Sequence, residues 1–135
     1  MKKIFVLLTV AIGITSISFT VKNNMDQKPW PVPDNFKKMK NPIASDATSI
    51  ADGKALWNTH CKSCHGAKGL GDGSKAAQLK TEPGDFSKAD VQAQADGSLF
   101  YKLSEGREDM PNFKKKMPEA DERWSIVNFM RTMKK

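Results

Sequence analysis

The only two cysteines of this chain stand three residues apart, and a histidine follows at once: Cys61-Lys62-Ser63-Cys64-His65. No other feature of the sequence restricts the fold so strongly. C-x-x-C-H is the attachment signature of c-type haem. Two thiols at i and i+3 on one turn of backbone can each form a thioether with one of the two vinyl groups of a single porphyrin. The histidine directly after them then lies under the ring, where its imidazole can bind the iron. The motif uses both cysteines, so no thiol is left for a structural disulfide.

Two other chemistries use a C-x-x-C pair, and both fit less well. A redox dithiol of thioredoxin type belongs at a strand end that opens a helix, and no convincing alternating strand occurs in the chain. A structural zinc site needs four ligands. Cys61, Cys64 and His65 supply three, His60 is the only other histidine, and ligands at 60, 61, 64 and 65 do not follow the usual two-pair spacing.

The length of 135 residues is one domain's worth. Its start reads as an export segment. Lys2 and Lys3 precede an apolar stretch from Ile4 to Val21, an n-region and h-region. Ser16-Ile17-Ser18 is a small-x-small cleavage candidate. The stretch also lies near the lower limit for a spanning helix, so residues 1–21 are expected to act as a signal peptide or an N-terminal membrane anchor. Either role places the domain outside the cytoplasm, in the periplasm or on the outer side of the cytoplasmic membrane. Cleavage after Ser18 removes Lys2 and Lys3 and lowers the formal charge from +7 to +5. The remaining basic residues are not interleaved with aromatics on one element, which argues against nucleic acid. Lys114, Lys115 and Lys116 are a candidate docking rim for an acidic protein partner. Lys37, Lys38 and Lys40 read as solvated loop lysines.

Residues 22–48 form a polar lead with prolines at 29, 31, 33 and 42 and only Trp30 and Phe36 as large rings. Such a segment cannot build its own core. It reads as an extended arm, pinned to the domain through Trp30. The domain, 49–135, is expected to open with a helix capped by Ser49 and Asp52. Ile50, Gly53, Trp57 and Cys61 fall on one face of it. Gly69, Gly71 and Gly73 mark a loop around Asp72. A stretch from 74 to 95 follows, with Leu79, Phe86 and Val91 facing inward and a turn at Pro83-Gly84. A second helix is expected over Ser98–Glu105, with Asp96 as its cap and Gly106 at its end. The last helix is expected to open at Pro118. Glu119, Asp121 and Glu122 suit its positive end, and Arg131, Lys134 and Lys135 its negative end. Its apolar side is Ile126, Phe129, Met130 and Met133, widened by Trp124 and Val127.

In order and spacing, residues 49 to 133 resemble the class I (monohaem) c-type cytochromes of the bacterial branch. Gly53 and Trp57 precede Cys61 at the intervals where that family carries a small and an aromatic residue. Ile126 and Phe129 are similar to the aliphatic and aromatic positions of its last helix. Cys64-His65-Gly66, Gly71-Asp72-Gly73 and the stretch from Gly106 to Phe113 match as well. The resemblance implies an all-α fold: a small cytochrome c-like domain of a few helices wrapped around one covalently bound haem. It implies His65 as one axial ligand of the iron and a methionine as the other. Met110, followed by Pro111 in a loop after Gly106, fits the family pattern. Met117 abuts the last helix, and Met130 and Met133 read as core packing. A proline carbonyl that accepts the Nδ1–H of the haem histidine falls to Pro83, with a plain turn proline as the other reading. The function implied is one-electron transfer. With both axial positions filled, no coordination site is left for a substrate, and no enzyme chemistry is expected. A fixed haem subunit of a larger membrane oxidoreductase is the alternative.

Overall fold

The computed structural model describes residues 29–135. The expected signal peptide or anchor at 1–21, and the arm as far as residue 28, lie outside the described residues. In chain order the elements are α1 (Asp34–Lys37), α2 (Ala47–His60), α3 (Lys62–His65), a 3-10 turn (Ala76–Gln78), α4 (Ala89–Gln92), α5 (Asp96–Glu105), α6 (Phe113–Lys116) and α7 (Ala120–Arg131). Among the described residues there is no strand, only an isolated bridge between Arg107 and Met110. The fold is all-α.

Helix α2 starts earlier than its Ser49 suggests. Asp46 is the N-cap: its carboxylate accepts from the Ser49 N–H at 2.8 Å, and the Ser49 hydroxyl accepts from the Asp46 N–H at 3.2 Å. This is a capping box in which Ser49 is the third helical residue instead of the cap. α2 then crosses α7 at Gly53. A Cβ there would stand 2.0 Å from the Ser125 carbonyl oxygen and 3.0 Å from Phe129 Cβ, so only glycine lets the backbones approach this closely. One turn later the fully buried Trp57 packs its edge against Phe129, with ring centroids 5.9 Å apart. Gly53→Ala should therefore overpack the crossing and cost about 1–3 kcal/mol. A thermal melt should show a clearly lowered midpoint; an unchanged midpoint would mean the crossing is looser than described.

Every residue of α7 from Arg123 to Met130 is buried. The helix opens at Ala120 with Glu119 as N-cap, two residues beyond the expected Pro118. The reason lies within the turn itself. The Arg123 guanidinium donates to the carbonyls of Met117 and Pro118, which holds that turn outside the helix. Trp124 stacks on Phe100, ring centroids 3.9 Å apart, and joins α7 to α5.

Helix α5 includes Asp96 as its first residue, and Ala95 occupies the N-cap without a side-chain bond. Asp96 is thus not the expected cap. Its carboxylate pairs with Arg131, 2.6 Å from Nη2 and 2.8 Å from Nε. Arg131 also donates to the carbonyls of Gln92 and Gln94, so it ties the α4–α5 connection to α7.

The segment ahead of α2 lies against the domain. Val32 is buried, and the Phe36 ring meets Tyr101 at 4.9 Å between centroids. Asn41 donates to the Asn128 side-chain carbonyl at 2.8 Å. Asn128 in turn donates to the carbonyls of Ile43 and Ala44 and to the Ser49 hydroxyl.

Candidate haem site

Helix α2 delivers the chain into the cysteine motif. The Cys61 N–H still bonds to the Trp57 carbonyl, and the N–H groups of Cys64 and His65 both point to the Cys61 carbonyl, at 3.1 and 2.9 Å. One helical turn thus carries both thiols and the imidazole. Gly66, at φ 81°, takes the chain out of the helix. Its carbonyl accepts from the buried Trp57 indole at 2.9 Å. The glycine loop then folds back on the motif: the Gly71 N–H bonds to the His65 carbonyl and the Gly73 N–H to the Cys64 carbonyl, at 3.0 and 3.2 Å. Phe86 meets the His65 ring edge-on at 5.2 Å, and Trp57 lies 5.6 Å away on a tilted plane.

A hollow of about 820 Å³, counted to its open mouth, is lined by Cys61, Cys64, His65 and Met110 together. Trp57, Leu79, Phe86, Leu103 and Phe113 make much of the remaining wall. Burial drives the His65 pKa down from 6.5 to about 4, so at neutral pH the ring carries the uncharged form that binds metal. The Pro83 carbonyl approaches the imidazole and opposes that shift. The imidazole Nδ1 is buried without a hydrogen-bond partner. Burial, with Cys64 adding to it, raises the Cys61 thiol to about 12. That shift runs opposite to the one that activates a redox dithiol. No group of three or more His, Cys, Asp or Glu among the described residues could hold a metal ion, so zinc has no ligand set here. The residues present fit a haem.

Met110 is presented by a tight turn. Arg107 and Met110 exchange both backbone hydrogen bonds, each 2.9 Å. The turn is tied to the facing loop by the Thr81 hydroxyl donating to Glu108 and the Lys80 N–H donating to Asp109, both at 2.7 Å. Met117 is 3% exposed and belongs to the hydrophobic core, away from the hollow's lining. Met130 does line the hollow, from α7, but it is also 3% exposed and packed into the core. The spacing of Met130 from Ile126 marks an apolar face and nothing more, so the sequence alone predicts core packing for it. Trp30 and His60 also line the hollow, which the sequence analysis does not predict. The solitary tryptophan in a polar arm was the available signal for the first.

The family model described as cytochrome C oxidase, cbb3-type, subunit III matches residues 48–130. The chain belongs to this family. It is a class I c-type cytochrome with the small all-α cytochrome c-like fold, it carries covalently bound haem c, and it serves haem-based electron transfer. Among solved structures, the cytochrome is similar to a chain of the reducing HAO-like protein complex of Kuenenia stuttgartiensis, with a TM-score of 0.64 and 23% identity. That match covers 82% of this chain and 53% of the other, so the cytochrome spans about half the length of that relative. It is similar to the c-type cytochrome KustC0563 at a TM-score of 0.55 and 32% identity, over 62% of this chain and 99% of that one. A third likeness is to Cytochrome CL of the marine methylotrophic bacterium Methylophaga aminisulfidivorans, with a TM-score of 0.54 and 20% identity, covering 81% and 71% of the two chains. The likenesses at 23% and 20% identity bear on the fold alone. No curated protein sequence matches the cytochrome significantly.

Proposed function

We propose that this cytochrome is a one-electron carrier in an extracytoplasmic electron-transfer chain, with His65 and Met110 as the axial ligands of its haem. The reading rests on one observation: Cys61, Cys64, His65 and Met110 line one largely apolar hollow. When bound, the haem iron supplies a ferrous–ferric couple. Cys61 and Cys64 hold the group in place. His65 offers a neutral nitrogen and Met110 a soft neutral sulfur, a pair that raises the potential. Trp57, Phe86 and Leu103 exclude water, which acts in the same direction.

An acidic partner would meet the lysines beside the hollow's wall. Lys62 and Lys115 are exposed. Lys114 makes an exposed 2.8 Å pair with Glu105, and Lys116 lies 5.6 Å from the centre of the Phe113 ring. Such charges steer encounter more than they add affinity, and salt weakens them. Lys2, Lys3 and the apolar stretch to Val21 support export, with a cleaved leader or a retained anchor. Among the described residues no helix is long and apolar enough to cross a membrane.

A second reading, a fixed haem subunit of a membrane oxidoreductase, is favoured by the subunit description of the family. Size-exclusion of native, detergent-solubilised extract separates the two. A carrier elutes alone at the size of one small domain. Pigment that elutes only with other subunits would establish the second reading instead.

A further inference from the structure

Trp30 precedes the family-matched segment, 48–130, yet it lines the same hollow as His65 and Met110. No regular secondary structure holds it there, since residues 29–33 form none. Arg107 does. Its guanidinium carbon lies 4.5 Å from the centre of the Trp30 ring, and its Nη1 donates to the Pro29 carbonyl at 3.1 Å. The Lys102 ammonium stands 5.7 Å from the same ring. A cation held over an indole face is a directed attraction, not a chance contact.

Arg107 also forms one end of the Met110 turn, through the two backbone bonds it exchanges with Met110. Between them Glu108 has φ 53°, a left-handed conformation that a glutamate keeps only when its surroundings hold it. One residue therefore grips Met110 with its backbone and the arm's indole with its side chain.

We propose that Trp30 is a positioning residue for the sixth ligand: clasped by Arg107, it closes the hollow beside Met110 and holds the Met110 turn in its ligating position. This rests on the reading of Met110 as axial ligand. A turn that opens more often gives up its sulfur more readily to a competing ligand, because the competitor binds the open state. Lost shielding also admits water beside the iron and lowers the potential.

The test uses the full haem-loaded chain in the ferric state, with imidazole as the competing ligand. Trp30→Ala should bind imidazole about tenfold more tightly, equivalent to about 1.4 kcal/mol, and should show a lower potential. Trp30→Phe, which keeps an aromatic face for Arg107, should restore most of both. Native imidazole affinity and native potential in Trp30→Ala would overturn the proposal. If Trp30→Ala fails to mature, Arg107→Gln reads the same clasp: tighter imidazole binding supports it, and native affinity overturns it. Met110→Ala is the reference. If that variant keeps the sulfur-to-iron band, the ligand assignment has failed. If it loses the band while Trp30→Ala behaves as native, the clasp alone has failed.

Discussion

Cys61→Ala combined with Cys64→Ala should give a chain that loses all pigment on denaturing electrophoresis. The two sulfurs are the only thiols available, so no other side chain can form the thioethers. The loss should extend to the fold. A chain this short has little core of its own, and the residues around the hollow, among them the fully buried Trp57 and the 1% exposed Leu103, line space that a porphyrin would fill. The double variant should show a weakened and broadened thermal transition, or none, by circular dichroism. Pigment that survives denaturing electrophoresis in this variant would contradict the attachment assignment.

Met110→Ala should keep the covalent pigment and change its electronic state. Removing the thioether leaves His65 and an open position, so the ferric spectrum should move toward high spin, lose the weak near-infrared sulfur-to-iron band, and respond readily to carbon monoxide in the ferrous form. The potential should fall by on the order of a tenth of a volt or more, within the roughly 0.8 V over which axial ligands set haem potentials. Met117→Ala should leave the spectrum nearly unchanged, because Met117 is packed in the core away from the hollow. It should cost about 2–5 kcal/mol of stability instead. A lost band in Met117→Ala with a retained band in Met110→Ala would exchange the two roles.

The parts of this molecule that depend on near neighbours in the chain could be read from the sequence. The cysteine motif is five consecutive residues. The apolar faces of α2 and α7 follow from spacing, and Gly53 opposite Phe129 follows from the family likeness. The parts that depend on distant partners could not. Asp96 precedes a helix and so resembles a cap, but its carboxylate is bound by Arg131, far along the chain. The start of α7 is displaced by a nearer contact that apolar spacing does not encode: Arg123 binds the carbonyls of Met117 and Pro118, six and five residues before it. The start of α2 shifts for a local reason: D-x-x-S and S-x-x-D overlap at Ser49, and the Asp46 partner forms the capping box. Within the site, the motif was fully legible. The wall was legible in part: Leu79 and Phe86 line the hollow as inward residues, whereas the contact of Trp30 with Arg107, far along the chain, follows from no local pattern.

The most direct measurement is the intact mass of the exported, folded protein, together with its pyridine-haemochrome spectrum, from cells able to mature c-type cytochromes. The expected result is the polypeptide plus a single haem that denaturation does not release, with the spectrum of two saturated thioether links. A well-folded, colourless protein with the mass of the bare chain would contradict the account at its base.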